Sequence, residues 1–253
     1  MNKVLIFAGT TEGRALAEFC AAHEIPADVS TATAYGSSLL PDGIGVLSGR
    51  LDAGAICTLL HREQYALVID ATHPYAGDAT ENIRAACQSQ NVPYRRLLRK
   101  ALPVIGESVT SLDEMTARLS QCGGAVLSTL GSKSLPALTA VRRFRERLWL
   151  RLLPSDTVCA DCVRYGFDPE KLILEKGPFS TEQNLAHIRL SGAQILLTKE
   201  SGTVGGYPEK AEAAKIAGIR MITLRRPAER DAGCDAAEIQ KILLLMMKEN
   251  SLQ

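Results

Sequence analysis

Short apolar runs alternate with stretches of helical spacing along the whole chain, and no other feature constrains its fold as strongly. In the first half, Lys3–Ala8, Ala27–Thr33, Gly45–Leu47, Ala66–Asp70 and Tyr94–Leu98 read as strands. Gly13–His23, Asp52–Arg62 and Asp78–Gln90 read as helices, the first with Leu16, Phe19 and Cys20 on one face. The second half repeats the pattern, with strands at Ala125–Leu130, Leu148–Leu153, Lys171–Glu175, Gln194–Thr198 and Arg220–Leu224. Its helices are expected over Ser111–Ser120, Leu135–Phe144, Thr181–Leu190, Glu209–Ala217 and Asp235–Lys248. A strand that rejoins its sheet through a helix runs parallel to its neighbour, so the expected class is α/β with mostly parallel sheets. The runs are apolar on both faces, as strands covered by helices on both sides must be.

About ten strands are many for one open sheet with short connections. Two Rossmann-like or flavodoxin-like domains are therefore expected, with a ligand cleft between them. The stretch Arg99–Pro103 marks the changeover. This gives an N-terminal domain over 1–100 and a C-terminal domain over 101–253, with the last helix, 235–249, a candidate to pack back on the first.

Composition removes several function classes. The net charge is +1, without the basic bias that nucleic-acid binding calls for. No apolar run approaches the roughly 20 residues that span a bilayer. The start, MNKVLIFAGTTEGR, reads as a first strand rather than a leader. Seven scattered cysteines fit a reducing cytoplasm better than a disulfide framework. Cys159 and Cys162 form a lone CxxC, and zinc would need two further ligands, so no metal is expected. The basic run Arg142–Arg147 reads as a solvated face. A monomer or weak homo-oligomer is expected, with a small molecule as its partner.

In open α/β sheets ligands sit beyond the carboxyl ends of the strands, so those loops carry the functional reading. Gly9, Thr10, Thr11, Glu12 and Arg14 follow the first strand and open a helix, which presents backbone N–H groups to an anion. The loop is neither GxGxxG nor a P-loop, and a plain turn remains the alternative. Thr31 and Thr33 stand where a dinucleotide fold often carries an acid, which leaves room for a 2′-phosphate. Gly49 and Arg50 follow the third strand, and Arg50 is a candidate phosphate contact. Pro74 fixes its own φ and keeps His73 out of the helical region, so Thr72 and His73 end the fourth strand. His73 is a weak catalytic candidate, and no other catalytic residue is assigned. In the second half, Gly131, Ser132 and Lys133 occupy one strand-to-helix loop, and Lys199, Ser201 and Gly202 open a glycine-rich one, Thr198–Gly206. These read as an anion-binding wall or, alternatively, as a flexible loop.

Taken together, Ile6–Arg14, Ser48–Leu51, the Asp70-Ala71-Thr72-His73-Pro74-Tyr75-Ala76 stretch and Thr198–Gly202 with Lys210 resemble the precorrin-6A reductase family of cobalamin biosynthesis. The resemblance runs from Val4 to the Arg226-Pro227 pair, and the Asp70–Ala76 stretch is its most specific part. It implies a cytoplasmic NAD(P)H-dependent oxidoreductase, with NADPH or NADH delivering a hydride to a carbon–carbon double bond of precorrin-6A or cobalt-precorrin-6A. The first domain would hold the dinucleotide through the loop residues named above, with the Thr72–Pro74 tip at its nicotinamide half. The second would hold the tetrapyrrole through Gly131, Ser132, Lys133, Lys199, Ser201 and Gly202. Two rival readings stand beside it: a flavodoxin-like FMN protein, and a non-enzymatic two-domain binder of a nucleotide or tetrapyrrole.

Overall fold

The computed structural model describes residues 3–98, 103–203, 205–227 and 233–250, apart from the side chains of 249 and 250. The expected boundary at 99–102, and Val204 of the glycine-rich loop, lie outside the described residues. The chain divides into two compact units, one of residues 1–100 with 228–253 and one of residues 101–227.

The first unit holds strands β1 (Val4–Ala8), β2 (Ala27–Thr31), β3 (Gly45–Ser48), β4 (Leu67–Ala71) and β5 (Tyr94–Arg96). Every pairing is parallel, in the order β3-β2-β1-β4-β5. Helices α1 (Thr11–Ala22), α2 (Ala34–Ser37), α3 (Ala53–Glu63) and α4 (Gly77–Ser89) make the crossovers. Side chains alternate across a strand, and β1 divides accordingly. Val4, Ile6 and Ala8 pack with Leu16, Ala17 and Cys20 of α1, whereas Leu5 and Phe7 pack with Ile56 of α3 and Ile83 of α4. A Cβ on the buried Gly13 would stand 3.1 Å from both Ala71 Cβ and Ala8, so glycine lets α1 lie close against β1 and β4. The order is that of a Rossmann sheet without its sixth strand rather than the flavodoxin order 2-1-3-4-5. The chain moves one way from β1 to β3 and the other way to β4 and β5, which puts the topological switch at the carboxyl ends of β1 and β4.

The second unit holds β6 (Glu107–Val109), β7 (Val126–Ser128), β8 (Leu148–Leu152), β9 (Leu172–Leu174), β10 (Ile195–Lys199) and β11 (Arg220–Leu224). Its order is β6-β11-β10-β7-β8-β9, again all parallel, with the switch between β7 and β10. The helices are α5 (Leu112–Gln121), α6 (Leu135–Leu138), α7 (Phe144–Arg147), α8 (Asp156–Arg164), α9 (Thr181–Ser191) and α10 (Tyr207–Ile216). One face of this sheet puts Leu127, Leu196 and Met221 against Ile188 of α9 and Tyr207 and Ala211 of α10.

Several elements depart from the expected pattern, α2 and α8 among them, which lie in none of the expected helix ranges. Strand β6 was not expected. The helix expected over Leu135–Phe144 ends after one turn at Leu138, and a separate turn of helix, α7, begins at Phe144 after Arg143 takes a left-handed φ of 57°. The strand expected over Tyr94–Leu98 ends at Arg96, after which Leu97 bridges Cys234 and Leu98 N–H donates to Cys234 O. The returning chain then forms α11 (Ala236–Asn250), whose Ile239 and Leu243 complete the core layer of β1 and α1. Among the described residues no helix is long and apolar enough to cross a membrane, and no cluster of metal-ligating side chains forms.

Candidate active site

The first-unit candidates all leave the carboxyl edge of their sheet. Gly9 and Thr10 join β1 to α1, Thr31 ends β2, Gly49 and Arg50 follow β3, and Thr72, His73 and Pro74 follow β4. At the switch point, Thr10 caps α1. Its hydroxyl accepts from Gly13 N–H at 3.1 Å and donates to Ala71 O at 3.0 Å, tying the helix start to the end of β4. Thr10 is thus engaged in the fold, and the first turn of α1, with Thr11 and Glu12, presents its backbone N–H end at this edge. Arg14 pairs with Glu18 one turn on, at 3.4 Å.

Thr31 and Thr33 are also tied up locally. Thr31 is buried, with its hydroxyl 2.7 Å from Ser37 Oγ, and Thr33 caps α2 by accepting from Gly36 N–H. Gly49 N–H donates to Thr31 O, which joins the ends of β2 and β3.

The strand end that carries Thr72 and His73 is built around a buried ion pair that sequence reading passed over. Asp70 and Arg96 pair at 2.7 Å across β4 and β5. Asp70 also accepts from Thr72 N–H at 3.0 Å, Thr72 Oγ1 at 2.6 Å and Tyr94 OH at 3.1 Å. Arg96 Nη1 in turn donates to Thr72 O and Thr72 Oγ1. Burial and the Asp70 charge push the Tyr94 hydroxyl well above the usual phenol range, so it remains a donor. Beyond Thr72, the His73 ring stacks on Tyr75, and its Nδ1 accepts from Tyr75 N–H at 3.3 Å.

In the second unit, Gly131, Ser132 and Lys133 follow β7, whereas Lys199 ends β10 and Ser201 and Gly202 follow it. These are the two strands of the switch point, joined at their ends by Thr129 donating twice to Leu197 O. Burial, with the nearby Lys133 charge, lowers the Lys199 ammonium below its ordinary range. The glycine loop closes on itself, since Gly205 O accepts from Ser201 Oγ at 3.0 Å and from Lys210 Nζ at 2.8 Å. Arg226 lies beside Gly202 and reaches Glu200, donating to its backbone O at 3.0 Å.

The profile described as Precorrin-6x reductase CbiJ/CobK matches residues 3–244 of this sequence. The chain belongs to that family. It is a reductase of cobalamin biosynthesis, as the resemblance at Gly9–Arg14 and Asp70–Ala76 implied, and the family acts on a carbon–carbon double bond of the corrin precursor. The cobalt-precorrin-6A reductase of Salmonella typhimurium is 33% identical over 94% of this chain and 92% of its own. The cobalt-precorrin-6A reductase of Methanothermobacter thermautotrophicus is also 33% identical, over 88% and 76%. The precorrin-6A reductase of Rhodococcus erythropolis is 27% identical over 90% of each chain. Among solved structures, a CobK precorrin-6A reductase matches with a TM-score of 0.76 at 24% identity, over 96% of this chain and 97% of that one, which shows a shared fold. Family membership and the Rossmann strand order leave the FMN and non-enzymatic readings without support.

The buried charges whose partners the sequence did not reveal include two with a shared trait. Asp70 and Arg151 are charged groups inside runs that otherwise read as core, as in Leu-Trp-Leu-Arg-Leu over Leu148–Leu152. A charge in such a run is costly unless it is partnered or used, and that was the available signal.

Proposed function

We propose that the first unit's rim holds a reduced nicotinamide dinucleotide and the second unit's rim holds the macrocycle. The observation that carries this is the Thr10–Ala71 tie, which sets the N-terminus of α1 at the switch point beside the Thr72–Pro74 tip. The α1 N-terminus and Gly9, whose Cβ position is open, suit a diphosphate approaching the backbone. Arg14 and Arg50 would add charge to it. The stretch Thr31–Tyr35 contains no acid to repel a 2′-phosphate, which favours NADPH over NADH.

When bound, the dinucleotide supplies the hydride. The chain supplies orientation and exclusion of water. The Asp70–Arg96 pair would hold the Thr72–His73 tip in one geometry beside the nicotinamide. Lys133, Lys199 and the backbone of Gly131, Ser132, Ser201 and Gly202 would face the carboxylates of the macrocycle. We favour the cobalt-bearing substrate, because the relatives that carry that name stand at 28–33% identity and those named for precorrin-6A at 27–28%. The seven free cysteines fit a reducing compartment.

The test is turnover. Precorrin-6A with and without cobalt is mixed with the protein, NADPH and NADH are offered separately, and nicotinamide oxidation is followed by absorbance. Oxidation that depends on a macrocycle is expected, fastest with NADPH and the cobalt form. No oxidation with any of the four combinations would defeat the reading.

A further inference from the structure

On the face of the second sheet covered by α9 and α10, a polar layer lies just below the carboxyl edge, outside the loops assigned above. Arg151 stands one residue before the end of β8 and is 5% exposed. Lys210, in the first turns of α10, is 8% exposed. The placement works against both charges. A lysine near a helix N-terminus opposes the helix dipole. Burial and the Arg151 charge bring Lys210 down to about 8, and burial brings Arg151 down to about 10. Among the described residues neither cation forms an ion pair with a carboxylate. Glu175 is 3.3 Å from His187, and Glu209 is the sequence neighbour of Lys210.

The guanidinium is nevertheless held in a fixed orientation. Its Cζ lies 4.0 Å from the centre of the Phe179 ring. Its Nη1 donates to Asn184 Oδ1 at 2.7 Å and to His187 Nδ1 at 3.2 Å. Arginine has donors only, so His187 Nδ1 accepts and the ring proton sits on Nε2, facing Glu175. All of these bonds use Nη1. The remaining edge of the guanidinium, Nε and Nη2, is the edge that binds a carboxylate with two parallel hydrogen bonds. Lys210 Nζ, anchored on Gly205 O, adds a second positive group on the same face.

We propose that Arg151 and Lys210 form a receptor for one carboxylate of the ligand, with Asn184, His187 and Phe179 as positioning residues. The inference rests on the reductase reading, in which the ligand is a macrocycle rimmed with carboxylates. An arriving carboxylate adds the directly bonded counter-charge that Glu175 and Glu209 do not supply and returns both cations to a favourable setting. A phosphate of the dinucleotide shares this chemistry, and the experiment separates the two sources.

Arg151→Gln, Arg151→Lys, Lys210→Met and Lys210→Arg are prepared beside the unchanged protein. Steady-state kinetics vary the macrocycle and the dinucleotide in turn. A second arm titrates each protein with uroporphyrin, a polycarboxylated macrocycle, by fluorescence and without any cofactor. The proposal expects at least a tenfold rise in macrocycle KM for the Gln and Met variants. It expects dinucleotide KM and kcat to stay within about threefold, Lys210→Arg to recover most of the loss, and uroporphyrin affinity to fall in parallel. Unchanged macrocycle KM and uroporphyrin affinity in variants that melt at the original temperature would overturn it. So would a rise confined to the dinucleotide, which would assign the pair to a phosphate. Equal losses in every constant, unrescued by Lys210→Arg, would mark a structural role and overturn it as well. If the unchanged protein turned over no macrocycle, the reductase reading would fail, and the uroporphyrin arm would still decide the receptor.

Discussion

At the end of β4, in the first unit, a buried carboxylate meets a buried guanidinium, Asp70 against Arg96. At the end of β8, in the second, a buried guanidinium meets an amide, an imidazole and an aromatic ring instead, and a buried lysine stands nearby. Both sheets are parallel, both switch direction beside a central strand, and both send their connecting loops from the same kind of edge. The difference lies in charge. Among the described residues the first rim pairs its buried Arg96 with Asp70, and beyond that it offers hydroxyls, helix-start amides and the outer cations Arg14 and Arg50. Among the described residues the second leaves its buried cations without an ion-paired carboxylate and adds Lys133 and Lys199. A shared architecture fixes where a ligand can bind, and the polar layer under the loops decides what kind of ligand it is.

The largest effect that sharpens this contrast is expected at the balanced pair. Asp70→Ala removes the carboxylate that faces the buried Arg96 guanidinium and should cost about 3–5 kcal/mol of folding stability. Urea unfolding of the variant reads this directly, and a midpoint equal to the original would mean the pair contributes nothing.

The unbalanced side should show the reverse sign. Lys210 titrates near 8 when folded and near its ordinary 10.5 when unfolded. Between those values the unfolded chain binds the extra proton, so stability rises with pH across that window. Below it, the buried ammonium costs about 3 kcal/mol. Lys210→Met should lose that rise, so the difference in unfolding free energy between the two proteins should climb as pH goes from 7 to 10.5. A difference curve that stays flat would show that burial does not strain this lysine.

Smaller effects separate the two rims by ligand. Arg14→Ala should weaken dinucleotide binding by about 1–2 kcal/mol, read by titration, with the macrocycle KM unmoved. If dinucleotide affinity is unchanged in a folded variant, Arg14 serves only Glu18. The smallest change is expected for Lys133→Ala. Removing that like charge lets the Lys199 ammonium hold its proton to higher pH. The alkaline rise in macrocycle KM should therefore move upward by a fraction of a pH unit. An unmoved profile would mean the two lysines do not sense each other.

The fold was legible wherever a strand is a five-residue apolar run. Val4–Ala8, Leu67–Ala71 and Ile195–Lys199 each announce themselves by β-branched or large apolar residues that end at a polar loop. Strand β6 was not legible, because Glu-Ser-Val carries no apolar run and is a strand only through its pairing with β11. The Leu135–Phe144 helix was over-extended for a related reason. Its spacing is helical, but the helix stops at Leu138 and the chain turns before α7 starts at Phe144, and nothing local in the sequence required that. In the candidate site, position was readable and wiring was not. Thr10, Thr72 and Lys199 could be placed at strand ends from the sequence alone. The partners that fix them could not, since Asp70 meets Arg96 through the β4–β5 register, and Arg151 meets Asn184 and His187 only when α9 covers the sheet.

The return of residues 228–253 to the first unit has a consequence for synthesis. The second unit's chain is complete at residue 227, before Ile239 and Leu243, the last layer against β1 and α1, have been made. At ribosomal speed that layer arrives on the order of ten seconds after the first hundred residues have emerged. Through that interval the half of the molecule that was translated first keeps an apolar face open to solvent, the state in which nascent chains aggregate or are held by chaperones. A premature stop or a proteolytic cut just before α11 therefore injures the N-terminal half of the protein, far in sequence from the residues it removes.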